Sequence, residues 1–190
     1  MKRPQRNILL LVTTVFGYFL IDDHLSSNVK LSLGIALIVF GVLLAILCKD
    51  FLIARSRTKK HDWEGAIEHY NKFEMSIKSH QQRGINLPIF MSLYTFDGIA
   101  LTNNNRAQCY MNVHRNQDAK NDLEFAVSLD KLYAIPHINL AILAAQKGDE
   151  PGAKKELELA QELGYKAKGA QKLIRSYLAK VNETIGDRLY

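Results

Sequence analysis

Side chains able to do chemistry are few and scattered in this chain. Two cysteines, Cys48 and Cys109, and six histidines are spread over 190 residues. Cys109 and His114 come nearest to a nucleophile and its base, but five positions along a helix rotate by about 140°, so the two would not face each other. Cys109 therefore reads as a small buried hydrophobe. Asp149-Glu150 and the Glu156/Glu158 pair suit a helix start and a charged face, where carboxylates meet the helix dipole or water. HExxH, GxSxG, phosphate-loop and CxxC patterns, which would set a metal, nucleophile or phosphate in a defined geometry, do not occur. Trp63, the single tryptophan, reads as helix packing. The expectation is a protein that is not an enzyme and needs no metal or cofactor. The wide spacing of the cysteines also excludes a disulfide-stapled miniprotein and a zinc ribbon.

The elements that carry these residues divide by solvent. Net charge is +6, and residues 1–60 hold all of the excess: nine basic side chains against three acidic, while residues 61–190 hold sixteen of each. A nucleic-acid binder needs a basic surplus on its folded domain to displace counterions from phosphate. This chain has none to arrange there, so no nucleic-acid partner is expected.

Two uncharged apolar runs lie at the N-terminal end, Ile8 to Ile21 and Leu31 to Cys48. At 1.5 Å per residue the second reaches roughly 27 Å, close to a ~30 Å hydrocarbon core. The first is shorter, a length at which a signal-peptide core competes with a true span, although no small-x-small cleavage site follows Ile21. Lys2, Arg3 and Arg6 precede the pair, Lys49, Arg55, Arg57, Lys59 and Lys60 follow it, and the connector from Asp22 to Lys30 is net −1. Basic flanks favour the cytoplasmic side. The expectation is an integral protein of a bacterial-type inner or plasma membrane, a two-span hairpin with both termini cytoplasmic. Gly34, Gly41 and Ala45 share one face of the second run, with Gly17 as counterpart in the first; small residues let membrane helices approach closely. Arg55, Arg57, Lys59 and Lys60 could also contact anionic lipid headgroups.

Residues past the hairpin repeat. Ala119, Leu123, Ala126 and Leu129 recur 34 residues on as Ala153, Leu157, Ala160 and Leu163, and Ala107 and Tyr110 recur as Ala141 and Ala144 at the same offset. Small residues at fixed spacing mark places where helices cross closely. With these residues the chain resembles the tetratricopeptide repeat family, whose unit is a 34-residue helix-turn-helix. Two clear units run 100–132 and 134–166, with Gly148-Asp149 at an inter-helix turn. The resemblance departs at the tryptophan position, here Asn103 and His137, and at the closing proline, here Lys131 and Tyr165. Two units do not close a core. An upstream helix B is expected at Asp62 to Phe73, with Ala66, Tyr70 and Phe73 in register, its helix A falling on the end of the second membrane helix. Lys168 to Asn182 is expected as a cap, with Leu173, Ile174, Tyr177, Leu178 and Val181 on its buried face. Ala66 and Ala119 are 53 residues apart, so an insertion falls at 81–98. It is apolar enough for an extra helix, or for a segment folded into the groove.

The organisation expected is a hairpin over 1–54, a basic juxtamembrane segment over 55–61, a repeat domain over 62–182 and a tail over 183–190, all-α throughout. The resemblance implies a short α-solenoid whose helix A residues line a concave, peptide-holding face. Those positions are Asn104, Asn105, Gln108, Met111 and Asn112, then Ile138, Asn139, Ile142 and Gln146. Amides can satisfy the backbone of an extended ligand, and the isoleucines could take an apolar side chain; solvated amides are the plainer alternative. The lysine and asparagine of the family's carboxylate clamp are Asn104 and Gln108 here, so that activity is not carried over. The function expected is a membrane-anchored adaptor or scaffold for a protein or peptide partner. The alternative is a small subunit of a membrane complex whose hairpin is the working part and whose repeats stabilise it.

Overall fold

A computed structural model describes residues 26–82, 95, 97–166 and 168–186. The first apolar run, with Gly17, lies outside the described residues, and so does most of the insertion at 81–98. The described residues form helices and no strand: α1 Ser27–Leu47, α2 Lys49–Lys59, α3 Trp63–Gln82, α4 Gly98–Asn112, α5 Asn116–Leu129, α6 Ala134–Gln146, α7 Glu150–Glu162 and α8 Lys168–Gly186. The chain is all-α in these residues.

From α2 onward the helices stack as pairs, α2 on α3, α4 on α5 and α6 on α7, with α3 also on α4, α5 on α6, and α8 against α6. Each pair turns in the same way. The first helix ends through backbone bonds at Lys60 to Arg57 O, His61 to Thr58 O and Asp62 to Arg57 O, and the same three-bond pattern recurs at Val113, His114 and Arg115 and at Lys147, Gly148 and Asp149. At the centre of each turn one residue takes a left-handed backbone: His61 (φ 60°), His114 (φ 60°) and Gly148 (φ 78°). That conformation reverses the chain at a helix end; glycine adopts it freely, while a histidine sits there at a cost of about 1 kcal/mol. His114 and Gly148 stand 34 residues apart, and His61 and His114 stand 53 apart. These are the offsets that separate Ala66, Ala119 and Ala153. At Gly148 glycine is needed twice over, because a Cβ would meet Val181 Cγ1 of α8 at 2.9 Å.

Helix starts follow local chemistry. Asp97 accepts from the Ala100 N–H at 2.8 Å and caps α4, and Asp149 accepts from the Gly152 N–H at 2.9 Å and caps α7, whose first turn holds Pro151. Residues just before α4 are tied to the α5–α6 turn, where Thr95 Oγ1 donates to Asp130 Oδ2 at 2.5 Å in the interior.

One core runs through α2 to α6. Phe51 of α2 is enclosed by Tyr70 and Phe73 of α3, with ring centroids 5.7 and 5.2 Å away. Burying a phenylalanine of this kind contributes roughly 1.5–3 kcal/mol. The repeating alanines Ala66, Ala107, Ala119, Ala126, Ala141, Ala153 and Ala160 are at most 1% exposed, so helix axes close in where no side chain stands between them. Beyond Ala141 the core continues as Ala145, Ala153 and Ile174, with Ile142, Leu157, Tyr177 and Leu178 packed on it. Leu173, expected on the buried face of α8, is 42% exposed; the face that meets α6 is one step on, at Ile174, Tyr177 and Leu178.

The stack therefore starts earlier than residue 62. Lys49–Lys59, including most of the segment expected as a basic juxtamembrane stretch, is the first helix of the first pair, with Phe51 and Ala54 buried. Preceding it, α1 is uncovered among the described residues: Leu31, Ile35, Ile38, Val39, Val42, Leu43 and Ile46 are all more than half exposed. Among the described residues no single helix is long and apolar enough to cross a membrane; Gly34–Leu47 and Lys49–Lys59, bent by 65°, reach that length only together.

Candidate functional site

The consecutive amides of α4 point in three directions, since each step along a helix turns by about 100°. Asn103, 1% exposed, donates from Nδ2 to Ile99 O at 2.9 Å and accepts at Oδ1 from Arg106 Nη2 at 2.8 Å. Asn104 faces α6 and accepts at Oδ1 from Asn139 Nδ2 at 2.9 Å. Asn105 is half-buried beside the Tyr70 hydroxyl of α3.

This placement corrects the groove read from the sequence. Asn104, Asn139 and Ile138 are 1%, 6% and 5% exposed, interior residues that no ligand reaches. Asn104 and Asn139 spend their amides on each other because α4 and α6 run sideby side at hydrogen-bond reach. Ile138 packs with Ala160, Tyr165 and Ala170, and Ile142 with the same group and the α8 face; α8 stacks on α6 and covers both isoleucines. Met111 packs against the main core. Of the nine positions, Asn105, Gln108 and Gln146 are half-buried and Asn112 is exposed, with Asn112 Nδ2 donating to Gln108 O at 2.7 Å. Asn105, Gln108 and Asn112 follow one face of α4 as a short polar strip, and Gln146 lies at the end of α6.

A polar group that hydropathy does not reveal holds the middle of the stack. Arg106 is 11% exposed at its side chain, and all five of its N–H donors are used. Nε and Nη2 hold Asp122 of α5 at 2.7 Å each, Nη1 holds Glu74 and Asn71 of α3 at 2.6 Å each, and Nη2 also reaches Asn103. Burial works against the arginine charge, but Asp122 and Glu74 together keep its pKa above the ordinary arginine value. Burial likewise opposes the Glu74 charge, yet Lys78 and Arg106 hold this carboxyl below the usual glutamate range. Three helices are thus joined at one guanidinium. The signal in the sequence was faint: one arginine beside three asparagines, with Asp122 sixteen residues on.

Two further clasps link helices within pairs. His69 Nδ1 lies 2.8 Å from Asp50 Oδ1, joining α3 to α2, and His137 Nδ1 lies 2.7 Å from Glu156 Oε2, joining α6 to α7. Asn103 and His137, which both recur in the 34-residue spacing, therefore serve as hydrogen-bonding groups inside the stack.

Neither cysteine is poised for catalysis. Cys109 is fully buried, 3.5 Å from Thr58 Oγ1, and burial pushes its thiol up, away from the thiolate a nucleophile needs. Among the described residues no three His, Cys, Asp or Glu side chains are placed to hold a metal.

At the α2 end of the stack, Arg55, Lys59 and Lys60 are exposed, while Arg57 is engaged by Asp62 at 2.5 Å. Of the four cations expected at lipid headgroups, three are therefore exposed and one is in an ion pair. On α1 a Cβ added at Gly34 or Gly41 would meet nothing within 4 Å, and Ala45 is exposed. The expected small-residue face has no helix on it among the described residues. No protein-family model matches the chain, and no curated protein matches it.

Proposed function

We propose that the protein is a membrane-anchored adaptor, a short helical-repeat stack of the tetratricopeptide kind that holds a protein or peptide partner at the cytoplasmic face of a membrane. The observation that carries this reading is the junction at Cys48. An uncovered apolar helix, α1, leads directly into α2, whose Phe51 is locked in the core of the stack. Apolar surface of that extent is stable when lipid covers it, and Leu31, Ile38 and Ile46, at 66%, 68% and 65% exposure, are the residues it would cover. The open cations Arg55, Lys59 and Lys60 follow within about three and a half turns of Cys48, where the headgroup layer would lie. Three pairs with one shared turn geometry support the repeat assignment. With its interior positions removed, the partner surface on the helix A side becomes Asn105, Gln108, Asn112 and Gln146.

A second reading rests on Gly34 and Gly41, which leave α1 open to close packing by another membrane helix. In that reading the anchor is the working part of a membrane complex.

Photo-crosslinking in native membranes separates the two. Probes at Gln108 and Asn112 should give a discrete protein adduct if the stack is an adaptor. Adducts from a probe at Gly41 alone would transfer the function to the anchor, and none from either would remove both readings.

A further inference from the structure

Residues of α5, α6 and α7, with the α6–α7 turn, line a cleft of about 410 Å³ that shares no lining residue with the polar strip. That volume falls in the range of small-molecule sites. Its floor is apolar, made by Leu140, Leu143 and Ala144 of α6 with Val127 of α5, and its rim is charged. Three carboxylates stand at the rim, and each already holds a donor. Glu124 is 3.5 Å from Lys120 Nζ, Asp149 accepts from the Gly152 N–H at 2.9 Å, and Glu156 is 2.7 Å from His137 Nδ1. Two ammonium groups at the rim, Lys147 and Lys155, have no carboxylate within ion-pair reach among the described residues, and both are exposed.

We infer that this cleft binds a small organic carboxylate with a compact apolar body. The apolar part lies on Leu140, Leu143 and Ala144, and the carboxylate is held between Lys147 and Lys155, charge-assisted contacts that Glu124, Asp149 and Glu156 do not satisfy. Apolar floor and unmatched cations together define the ligand. A simple anion would leave the floor wet, and a neutral ligand would leave both lysines unused. The site is separate from the polar strip and from α1, so its failure would leave the adaptor reading standing.

The test uses the full chain in lipid nanodiscs with 4-phenylbutyrate as probe, followed by methyl NMR of Leu140, Leu143 and Ala144. Saturable shifts at these methyls are expected. The exposed double variant Lys147→Glu/Lys155→Glu should weaken binding at least about tenfold, as loss of two charge-assisted contacts implies, with the helical spectrum unchanged. The neutral analogue 4-phenylbutanol should bind more weakly, and inorganic phosphate should not compete. Absence of saturable shifts, equal binding by the alcohol, or indifference to the charge reversal would each overturn the assignment.

Discussion

Asn139 donates through Nδ2 to Asn104 Oδ1 at 2.9 Å, an amide pair closed off from solvent between α4 and α6. The bond links two successive helix pairs side chain to side chain, and it converts two positions that could have met a ligand into part of the framework. Stacked repeats depend on such neighbour contacts, because each unit buries its face only against the next.

Removing one partner should therefore cost more than removing both. Asn104→Ala leaves the Asn139 amide buried and unsatisfied, with an expected loss of about 1–3 kcal/mol. The double variant Asn104→Leu/Asn139→Leu should come closer to the parent than either single leucine change. Urea unfolding followed by circular dichroism measures these four variants, and strict additivity of the leucine changes would show that the pair is not coupled.

Arg106 should be the most sensitive polar residue of the stack. Arg106→Met strands Glu74 and Asp122 in the interior, and breaking a buried pair from one side typically costs about 3–5 kcal/mol. Arg106→Lys should recover only part of this, since an ammonium cannot serve Asp122, Glu74, Asn71 and Asn103 with the geometry of a guanidinium fork. Denaturation midpoints order the three proteins; equal stability of the lysine variant would contradict the five-donor account.

Alkaline pH should weaken the first helix pair through Tyr70. Burial pushes its phenol from 10 up to about 12, with Thr58 and Asn105 as its nearby hydrogen-bond partners. The unfolded tyrosine ionises near pH 10 while the folded one stays neutral. The contribution is thus complete below pH 10 and is lost as pH rises towards 12, reaching about 2–3 kcal/mol. Tyr110 and Tyr133 are also raised by burial, so the comparison is with Tyr70→Phe. Stability against pH should fall less steeply above pH 10 in the phenylalanine variant, and parallel curves would rule out the contribution of Tyr70.

The repeat could be read because alanine carries a clear signal. Ala107, Ala119, Ala126, Ala141, Ala153 and Ala160 keep one spacing, and all are interior. Position α2 could not be read in the same way. Lys49–Lys59 shows four basic side chains to Phe51 and Ala54, and a basic flank after an apolar run has a sufficient explanation in topology. Polar residues failed for another reason. Asn104, Asn139, Asn103 and Arg106 look alike in water and in a fully satisfied interior, and only the partner, 35 residues away for Asn104 and 16 for Arg106, distinguishes the two. Ile138 and Ile142 were recognisably apolar, but that α8 would cover them depended on how the end of the stack closes.

The central claim is that α1 sits in lipid with the stack displayed beside it. Spin labels placed singly at Leu31, Ile35, Ile38, Val42 and Ile46, in a Cys48→Ala/Cys109→Ala background in nanodiscs, test it through collision with dissolved oxygen and with a water-soluble nickel chelate. The account predicts high oxygen and low nickel accessibility at every position, with the deepest label near Ile38. Nickel-accessible labels would place α1 in water, and labels shielded from both reagents would place it against protein; either result would contradict the account.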